Sequence, residues 1–318
     1  QVHRGVLRDG REVAVKIQYP KADRMVKADL KNLKTLLGNL VGMFTEIDFE
    51  PIWEEVQDRL LEELDYRKEA DSIRRMASMH ADVPEIIVPE VVPEASTQRV
   101  LTMGFVEGIP PAEATSDRYP QALKDEWGAA LFEFTLRGLM DHRFLHADPN
   151  FANFAFREDG CVAVYDYGCM KEVPADLAAG YSKLMNALLD RRKTAIPGIL
   201  AEMGVCKKGG TPLPRSMTDP YVDLMQDIVR ASPPYTFGDD STFYKAIYDL
   251  GMANWQEAND IRFPRDMVFI DRTLGGLFGN LGKLGATGPW RRILRESTAP
   301  LTEAGTGTRS VQGTKNAA

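Results

Sequence analysis

Two short polar segments in the middle of the chain constrain its fold more than any other feature. The first, His146-Ala147-Asp148-Pro149-Asn150-Phe151-Ala152-Asn153, places an Asp and an Asn five positions apart in a loop. The second, Asp166-Tyr167-Gly168, follows an apolar strand-like run and begins thirteen residues after Asn153. Carboxylate and amide carbonyl oxygens of this kind suit a Mg²⁺ site. Ordinary turns also use Asp and Asn, so each segment alone is weak evidence.

A strand that ends in a lysine lies near the start of the chain, in Val13-Ala14-Val15-Lys16. The Asp9-Gly10 pair in front of it predicts a hairpin with the strand around Val6-Leu7. In kinase-like folds a lysine at this place neutralises ATP phosphates and is held by a glutamate from a neighbouring helix. Many unrelated strands carry one exposed lysine. What indicates a kinase-like chain is the order of five features along the sequence. They are the lysine at the end of a strand, the acidic residue on a helix, the hinge, the Asp-x4-Asn loop and the Asp at the end of a later strand.

The secondary structure predicted between these segments also follows the order of a kinase-like fold. Helical periodicity covers about 21–43 and about 51–80, and short β-rich runs continue to about residue 103. The stretch 104–112, with its Gly and Pro residues, predicts a hinge. Two short strands around an Asp159-Gly160 turn interrupt the mostly helical sequence that follows.

We therefore predict an α+β, two-lobed protein-kinase-like fold. Residues 1–107 would form a small β-rich N-lobe, truncated at its start and carrying inserted helices. Residues 108–296 would form a large helical C-lobe with the catalytic loop and the metal-binding Asp. The polar residues 297–318 would form a disordered tail.

Charge and cysteine content exclude several function classes. The chain carries 39 Lys and Arg against 46 Asp and Glu, a net charge of −7, so we expect no nucleic-acid partner. Its three cysteines form no C-x-x-C pair, which argues against a disulfide framework or a zinc site. The sequence contains no uninterrupted run of about 18 apolar residues, so no transmembrane helix is predicted. The amphipathic, Gly-rich stretch 267–284 is interpreted as a packed C-lobe helix rather than a membrane-surface helix.

These residues resemble the UbiB (AarF-domain) atypical kinases, which include the ubiquinone-biosynthesis kinases of bacteria and mitochondria. The E-x-D-Y…E-A helix and the H-A-D-P loop are family-specific, since ordinary protein kinases have H-R-D in that loop. The resemblance extends from residue 1 to about 295. The matching segments are Gln1-Val2-His3, Val13-Ala14-Val15-Lys16-Ile17-Gln18-Tyr19-Pro20, Glu63-Leu64-Asp65-Tyr66-Arg67-Lys68-Glu69-Ala70, Val100-Leu101-Thr102-Met103, the loop 146–153 and Asp166-Tyr167-Gly168.

The resemblance implies ATP and Mg²⁺ as cofactors and gives catalytic roles to five matching positions. Glu63 would pair with Lys16, and Asp148 would position or deprotonate the acceptor. Asn153 and Asp166 would hold Mg²⁺.

Nucleotide-binding and regulatory positions are assigned in the same way. Met103, Phe105 and Val106, at the start of the hinge, would contact the nucleotide together with Lys16. Glu69 resembles an acid that the family uses to hold an inhibitory N-terminal extension, although a solvated helix charge is an equal alternative. Glu69 lies six residues after Glu63, about 240° around a straight helix, so the two cannot face one point without a bend or long side chains.

Three departures from the family pattern accompany the resemblance. The Ala-rich nucleotide loop and the K-x-G-Q helix would precede Gln1, so we expect the chain as given to bind ATP weakly. The family's H-P-G stretch is replaced by Asn150-Phe151-Ala152, and Tyr167 replaces the Phe of D-F-G. Asp148 and Asn153 are kept.

The function expected from the sequence is that of a Mg²⁺-dependent, ATP-binding atypical kinase or ATPase supporting ubiquinone (prenyl-quinone) biosynthesis. After Gly168 a helical pattern starts almost at once, leaving no long activation segment for a peptide, so a protein acceptor is not expected. A lipid or prenyl-quinone precursor and quinone-biosynthesis proteins are the expected partners. The resemblance implies a bacterial cytoplasmic or mitochondrial matrix location, peripheral to the inner membrane. A non-catalytic nucleotide-dependent scaffold and a small-molecule kinase of the aminoglycoside or choline type remain alternatives.

Overall fold

The computed structural model describes residues 1–20, 64–230, 232–238 and 260–298, with residues 30, 34, 246, 249 and 250. The predicted helix over 21–43 lies outside the continuous described stretches. The chain divides into two compact units. Unit 1 comprises Gln1–Met79, Val88–Glu107 and Tyr165–Cys169, and unit 2 comprises His80–Ile87, Gly108–Val164 and Met170–Ala318.

Short strands occur in both units. In the described residues they are β1 (Val2–Val6), β2 (Glu12–Ile17), β3 (Ile86–Ile87), β4 (Val100–Gly104), β5 (Phe144–His146), β6 (Phe154–Phe156), β7 (Val162–Val164), β8 (Met170–Glu172), β9 (Cys206–Lys207) and β10 (Ile261–Arg262).

Most of the described helices belong to unit 2. The described α-helices are α1 (Tyr66–Met79), α2 (Pro111–Ala114), α3 (Gln121–Leu136), α4 (Ala175–Leu189), α5 (Ile196–Glu202), α6 (Arg215–Ile228), α7 (Arg265–Leu284) and α8 (Trp290–Ser297).

Unit 1 is built on a three-stranded antiparallel sheet in the order β1-β2-β4. The turn between β1 and β2 is closed by the Gly10 N–H, which donates to the Leu7 carbonyl at 2.9 Å. Gly10 has a φ of 92°, a conformation that a residue without Cβ adopts at little cost. The predicted hairpin is confirmed, and it places Lys16 on the central strand.

Helix α1 is shorter than the sequence predicts. Residues 51–63 lie outside the described part of the chain, but Leu64 and Asp65 are not helical, so one continuous helix to residue 80 is wrong. Asp65 Oδ1 accepts the N–H of Arg67 at 3.1 Å, and its carbonyl accepts the N–H of Lys68 at 3.1 Å. Asp65 therefore caps the N-terminus of a helix that begins at Tyr66.

Two small sheets in unit 2 fix the ends of the Asp148 loop. Strand β7 lies between β3, which is parallel to it, and β6, which is antiparallel. Strand β5 pairs with β8, with His146 opposite Met170. Since β5 ends at His146 and β6 begins at Phe154, the intervening loop is anchored on both sides.

Helices form the core of unit 2. Helix α3 packs against α7 and α8, and continues into a short π-helical turn, Arg137–Asp141. Trp127 and Trp290 are buried on these helices. Among the described helices, none combines the length and the apolar character needed to cross a bilayer. The α+β kinase-like fold predicted from the sequence is confirmed.

Helix α8 ends at Ser297, the first residue of the predicted tail, and Thr298 is its C-cap. Ser297 Oγ donates to the Ile293 carbonyl at 2.9 Å, and Thr298 Oγ1 donates to the Leu294 carbonyl at 2.9 Å. A disordered tail from residue 297 is therefore wrong for these two residues, because their hydroxyls bind the preceding turn. Residues 299–318 lie outside the described part.

Candidate active site

Lys16 is enclosed by two carboxylates of unit 1. Its Nζ lies 2.7 Å from Glu69 Oε1 and 3.0 Å from Asp166 Oδ2. The Lys16 side chain is only 15% exposed and that of Glu69 only 4%, so their contact is shielded from the solvent that weakens surface ion pairs. Two acids therefore hold one ammonium group in a fixed position.

Glu69 is the buried member of this group. It lies in the first turn of α1, where the helix dipole favours an acidic side chain, and it is 4% exposed. Its Oε1 also accepts the backbone N–H of Tyr167 at 3.3 Å. Glu69 thus connects Lys16 to the Asp166-Tyr167-Gly168 segment.

Asp166 is the accessible member. Its carboxylate is 43% exposed, and its Oδ1 accepts the Gly168 N–H at 2.9 Å in a tight Asp-x-Gly turn. The turn fixes one carboxylate oxygen while Lys16 contacts the other. Because Asp166 is exposed and Glu69 is not, Asp166 is the acid of this group that a bound ligand can reach.

Burial and charge act in opposite directions on the ionisation of this group. Burial by itself lowers the pKa of Lys16, but the carboxylates of Glu69 and Asp166 outweigh it, and the pKa lies above its ordinary value. Burial raises the pKa of Glu69; Lys16 opposes this shift, and the neighbouring charge of Asp166 adds to it. Lys16 is therefore a cation at neutral pH.

The structure gives Lys16 a partner, Glu69, to which the sequence assigned another role. Glu63, the predicted partner, lies outside the described residues. Glu69, predicted to be a regulatory acid or a solvated helix charge, is buried and forms the ion pair with Lys16. The signal that sequence reasoning missed is Asp65: as an N-cap it starts the helix at Tyr66 and places Glu69 in the first turn.

The three hinge residues predicted to bind nucleotide lie in unit 1 and have different surroundings. Met103 is buried in β4. The Arg4 guanidinium lies 4.2 Å from the centre of the Phe105 ring. The Val106 carbonyl accepts a hydrogen bond from the Tyr165 hydroxyl at 2.8 Å. Their contact with a nucleotide stays a prediction.

The loop of unit 2 brings Asp148 and Asn153 together. Asn153 Nδ2 donates to Asp148 Oδ2 at 2.7 Å, and the Asp148 carbonyl accepts from the same nitrogen at 3.4 Å. The donor side of the Asn153 amide is thus used by Asp148. Its carbonyl oxygen, which accepts no hydrogen bond from the described residues, is the atom suited to a cation.

The predicted site residues therefore form two groups. Lys16, Glu69 and Asp166 belong to unit 1, whereas Asp148 and Asn153 belong to unit 2. The sequence placed Asp166 in the C-lobe. Its segment, Tyr165–Cys169, falls within unit 1 because Lys16 and Glu69 both bind it.

We expect Asp65→Ala to lower the free energy of unfolding by about 1 kcal/mol, because the cap of α1 is lost. Asp71→Ala is the matched control on the same helix: Asp71 is 77% exposed and pairs with surface Arg74. We expect this control to change stability by about 0.5 kcal/mol or less. Chemical denaturation measures both. Equal losses in the two variants would contradict the capping role.

Comparison with known proteins adds sequence evidence. Residues 1–199 match the family model of the ABC1 atypical kinase-like domain. The atypical kinase COQ8B, mitochondrial, of Rattus norvegicus is 36% identical over 191 residues, covering 60% of this chain and 36% of that protein. The atypical kinase coq-8, mitochondrial, of Caenorhabditis elegans is 29% identical over 296 residues, covering 90% of this chain and 38% of that protein. The chain thus spans about two fifths or less of these relatives' length.

A solved structure shares the fold. It is described as the complex of Rv3197 with erythromycin from Mycobacterium tuberculosis, and it matches with a TM-score of 0.77. The match covers 93% of this chain and 73% of that chain, at 24% sequence identity. At this identity the likeness supports the fold alone.

Proposed function

The chain belongs to the ABC1 atypical kinase-like family, and from that premise we propose that it binds ATP with Mg²⁺ and either hydrolyses it or transfers its terminal phosphoryl group. The observation that carries the proposal is the Lys16 ammonium held between a buried acid, Glu69, and an exposed acid, Asp166. A cation fixed in this way suits the phosphates of a nucleotide.

Asp166 and Asn153 each offer an oxygen of the kind that Mg²⁺ takes as a ligand. Asp166 offers an exposed carboxylate, and Asn153 offers an amide carbonyl whose orientation is set by Asp148. The described residues contain no cluster of three or more His, Cys, Asp or Glu side chains suited to a metal. Mg²⁺ that is also held by substrate phosphates and water needs only one or two carboxylates. When bound, the ion would neutralise charge on the phosphate oxygens.

Each side chain then has a distinct role. Lys16 would bind phosphate oxygens, and Glu69 would keep the lysine charged and positioned. Asp166 and Asn153 would hold the metal. Asp148, whose carboxylate is oriented by Asn153, would accept a proton from the attacking hydroxyl or orient that group towards the terminal phosphate.

The short segment after Gly168 favours an acceptor that is not a protein. Strand β8 begins at Met170 and pairs with β5, and α4 begins at Ala175. Protein kinases use a long segment here to dock a peptide, and this stretch has no room for one. We infer that the acceptor is water or a small or lipid-linked molecule.

An apolar cavity in unit 2 supports a lipid-linked acceptor. Its volume is about 760 Å³, and its walls include Pro149 of the Asp148 loop with Leu184, Met185, Met225 and Phe278. Cavities of this size and character bind largely apolar molecules. A prenyl-quinone precursor has the required chemistry, and quinone-biosynthesis proteins at the inner membrane, on the bacterial cytoplasmic or mitochondrial matrix side, would then be partners.

The test is the fate of terminally radiolabelled ATP incubated with the chain and Mg²⁺. We expect label in inorganic phosphate or in a prenylated phenol supplied in detergent, no label in an added basic protein, and loss of all turnover with EDTA. Asp71→Asn changes an exposed surface residue and serves as a control variant, which is expected to retain wild-type turnover. Strong labelling of the protein would overturn the acceptor class. Nucleotide binding without turnover would favour the scaffold alternative.

A further inference from the structure

Helix α7 donates hydrogen bonds to the loop that carries Asp148. Arg272 Nη2 donates to the Ala147 carbonyl at 2.7 Å. Asn280 Nδ2, two helical turns later, donates to the Pro149 carbonyl at 2.9 Å. The two donors therefore hold the carbonyls immediately before and immediately after Asp148.

The carbonyl of Asp148 itself also has a side-chain donor, since it accepts from Asn153 Nδ2 at 3.4 Å. Three consecutive carbonyls, those of residues 147, 148 and 149, are thus bound by side chains. Strand β5 has already ended at His146, so its ladder no longer supplies partners to this backbone. Partners from elsewhere are needed to fix a loop of this kind.

Gly276, midway between the two donors, allows α7 to contact the loop directly. A Cβ added at Gly276 would lie 2.3 Å from both Cβ and Cγ of Pro149. The proline ring is rigid, so a side chain at Gly276 would displace the loop backbone. Asn280 is 4% exposed, and a buried amide of this kind keeps its place through its hydrogen bonds.

We propose that Arg272, Gly276 and Asn280 form a clamp that positions Asp148. The clamp fixes the backbone on both sides of Asp148 and so sets where its carboxylate lies relative to the reacting hydroxyl. The inference rests on the proposed function, and it adds positioning residues from a helix that lies outside the family match at 1–199.

The steric part of the clamp is tested by Gly276→Ala. The added methyl displaces the loop, so we expect kcat for ATP turnover to fall about a hundredfold while KM for ATP changes less than about twofold. Gly198→Ala is the matched control, because Gly198 is an exposed helical glycine of α5 whose added Cβ would contact nothing within 4 Å. We expect the control to keep wild-type kcat. Equal kcat in the two variants would overturn the steric role.

The hydrogen-bonding part is tested at Arg272, which lies at the surface. Arg272→Met keeps the apolar stem but removes the donor, and we expect about a tenfold loss of kcat. Arg272→Lys keeps a donor for one carbonyl and is expected to restore kcat to within about threefold of wild type. Similar losses with Met and Lys would contradict positioning by this bond.

Amide hydrogen exchange of residues 147–153 separates the clamp from the reaction. We expect about tenfold faster exchange in this segment in Asn280→Ala and Arg272→Met, with α1 unchanged. This result stands even if the wild-type chain turns over no ATP, which would defeat the proposed function alone. Unchanged loop exchange in both variants would overturn the clamp.

Discussion

Asp166→Asn is expected to reduce Mg²⁺-ATP turnover by about a thousandfold while the chain remains folded. Asp166 supplies the exposed carboxylate of the unit 1 group, and an amide in its place carries no negative charge to bind a cation. The fold is expected to survive for two reasons. An Asn oxygen can still accept the Gly168 N–H, and Lys16 keeps its contact with Glu69.

The measurement is steady-state phosphate release at saturating ATP and Mg²⁺, with thermal melting as the check on folding. Asp71→Asn removes an exposed Asp charge from the surface of α1 and is expected to retain wild-type turnover. A folded Asp166→Asn variant as active as wild type would contradict the proposed role of Asp166 in ATP turnover.

Glu69→Ala is expected to have the largest effect on stability, about 3 kcal/mol of unfolding free energy. Removing Glu69 breaks the buried contact of a Lys16 that is only 15% exposed, and leaves Lys16 with Asp166, which is 43% exposed, as its remaining acid. The variant also loses the acceptor of the Tyr167 N–H, so we expect turnover to fall about a hundredfold. Denaturant unfolding and phosphate release measure the two effects.

A double-mutant cycle decides which acid holds Lys16. If Glu69 is the partner, Lys16→Met and Glu69→Gln should be non-additive by about 2 kcal/mol, because each removes one of the two opposite charges of the same ion pair. The sequence analysis instead predicts that Lys16 is coupled to Glu63. Coupling of Lys16 to Glu63→Gln, with additivity at Glu69, would contradict the pairing described here.

The candidate site residues could be located in the sequence because each is tied to a local pattern. The Asp9-Gly10 turn predicts the hairpin that carries Lys16, and alternating apolar residues predict the strand before Asp166. The family match confirms the UbiB resemblance based on these segments. Local patterns thus identified the strand lysine and both polar loops.

The partner of Lys16 could not be predicted in the same way. The family resemblance assigned Glu63 to Lys16 by position, whereas Asp65 caps a helix that begins at Tyr66 and carries Glu69 in its first turn. Helix boundaries depend on such single hydrogen bonds, which periodicity does not detect.

The contacts of α7 were also beyond prediction. Its amphipathic pattern indicated a packed helix, but Arg272 and Ala147 are 125 residues apart in the chain. Neither the donor nor the glycine forms a local motif with the loop. Only the tertiary fold reveals that this face of the helix binds the Asp148 loop.

The central claim is that Lys16, Glu69 and Asp166 form a nucleotide site, and the change in melting temperature on adding Mg²⁺-ATP tests it most directly. At a hundredfold excess over the dissociation constant, we expect wild type to gain about 5 °C and Asp166→Asn to gain far less. Without Mg²⁺, wild type should resemble the variant. Equal stabilisation of the two proteins by Mg²⁺-ATP, or none in wild type, would contradict the account.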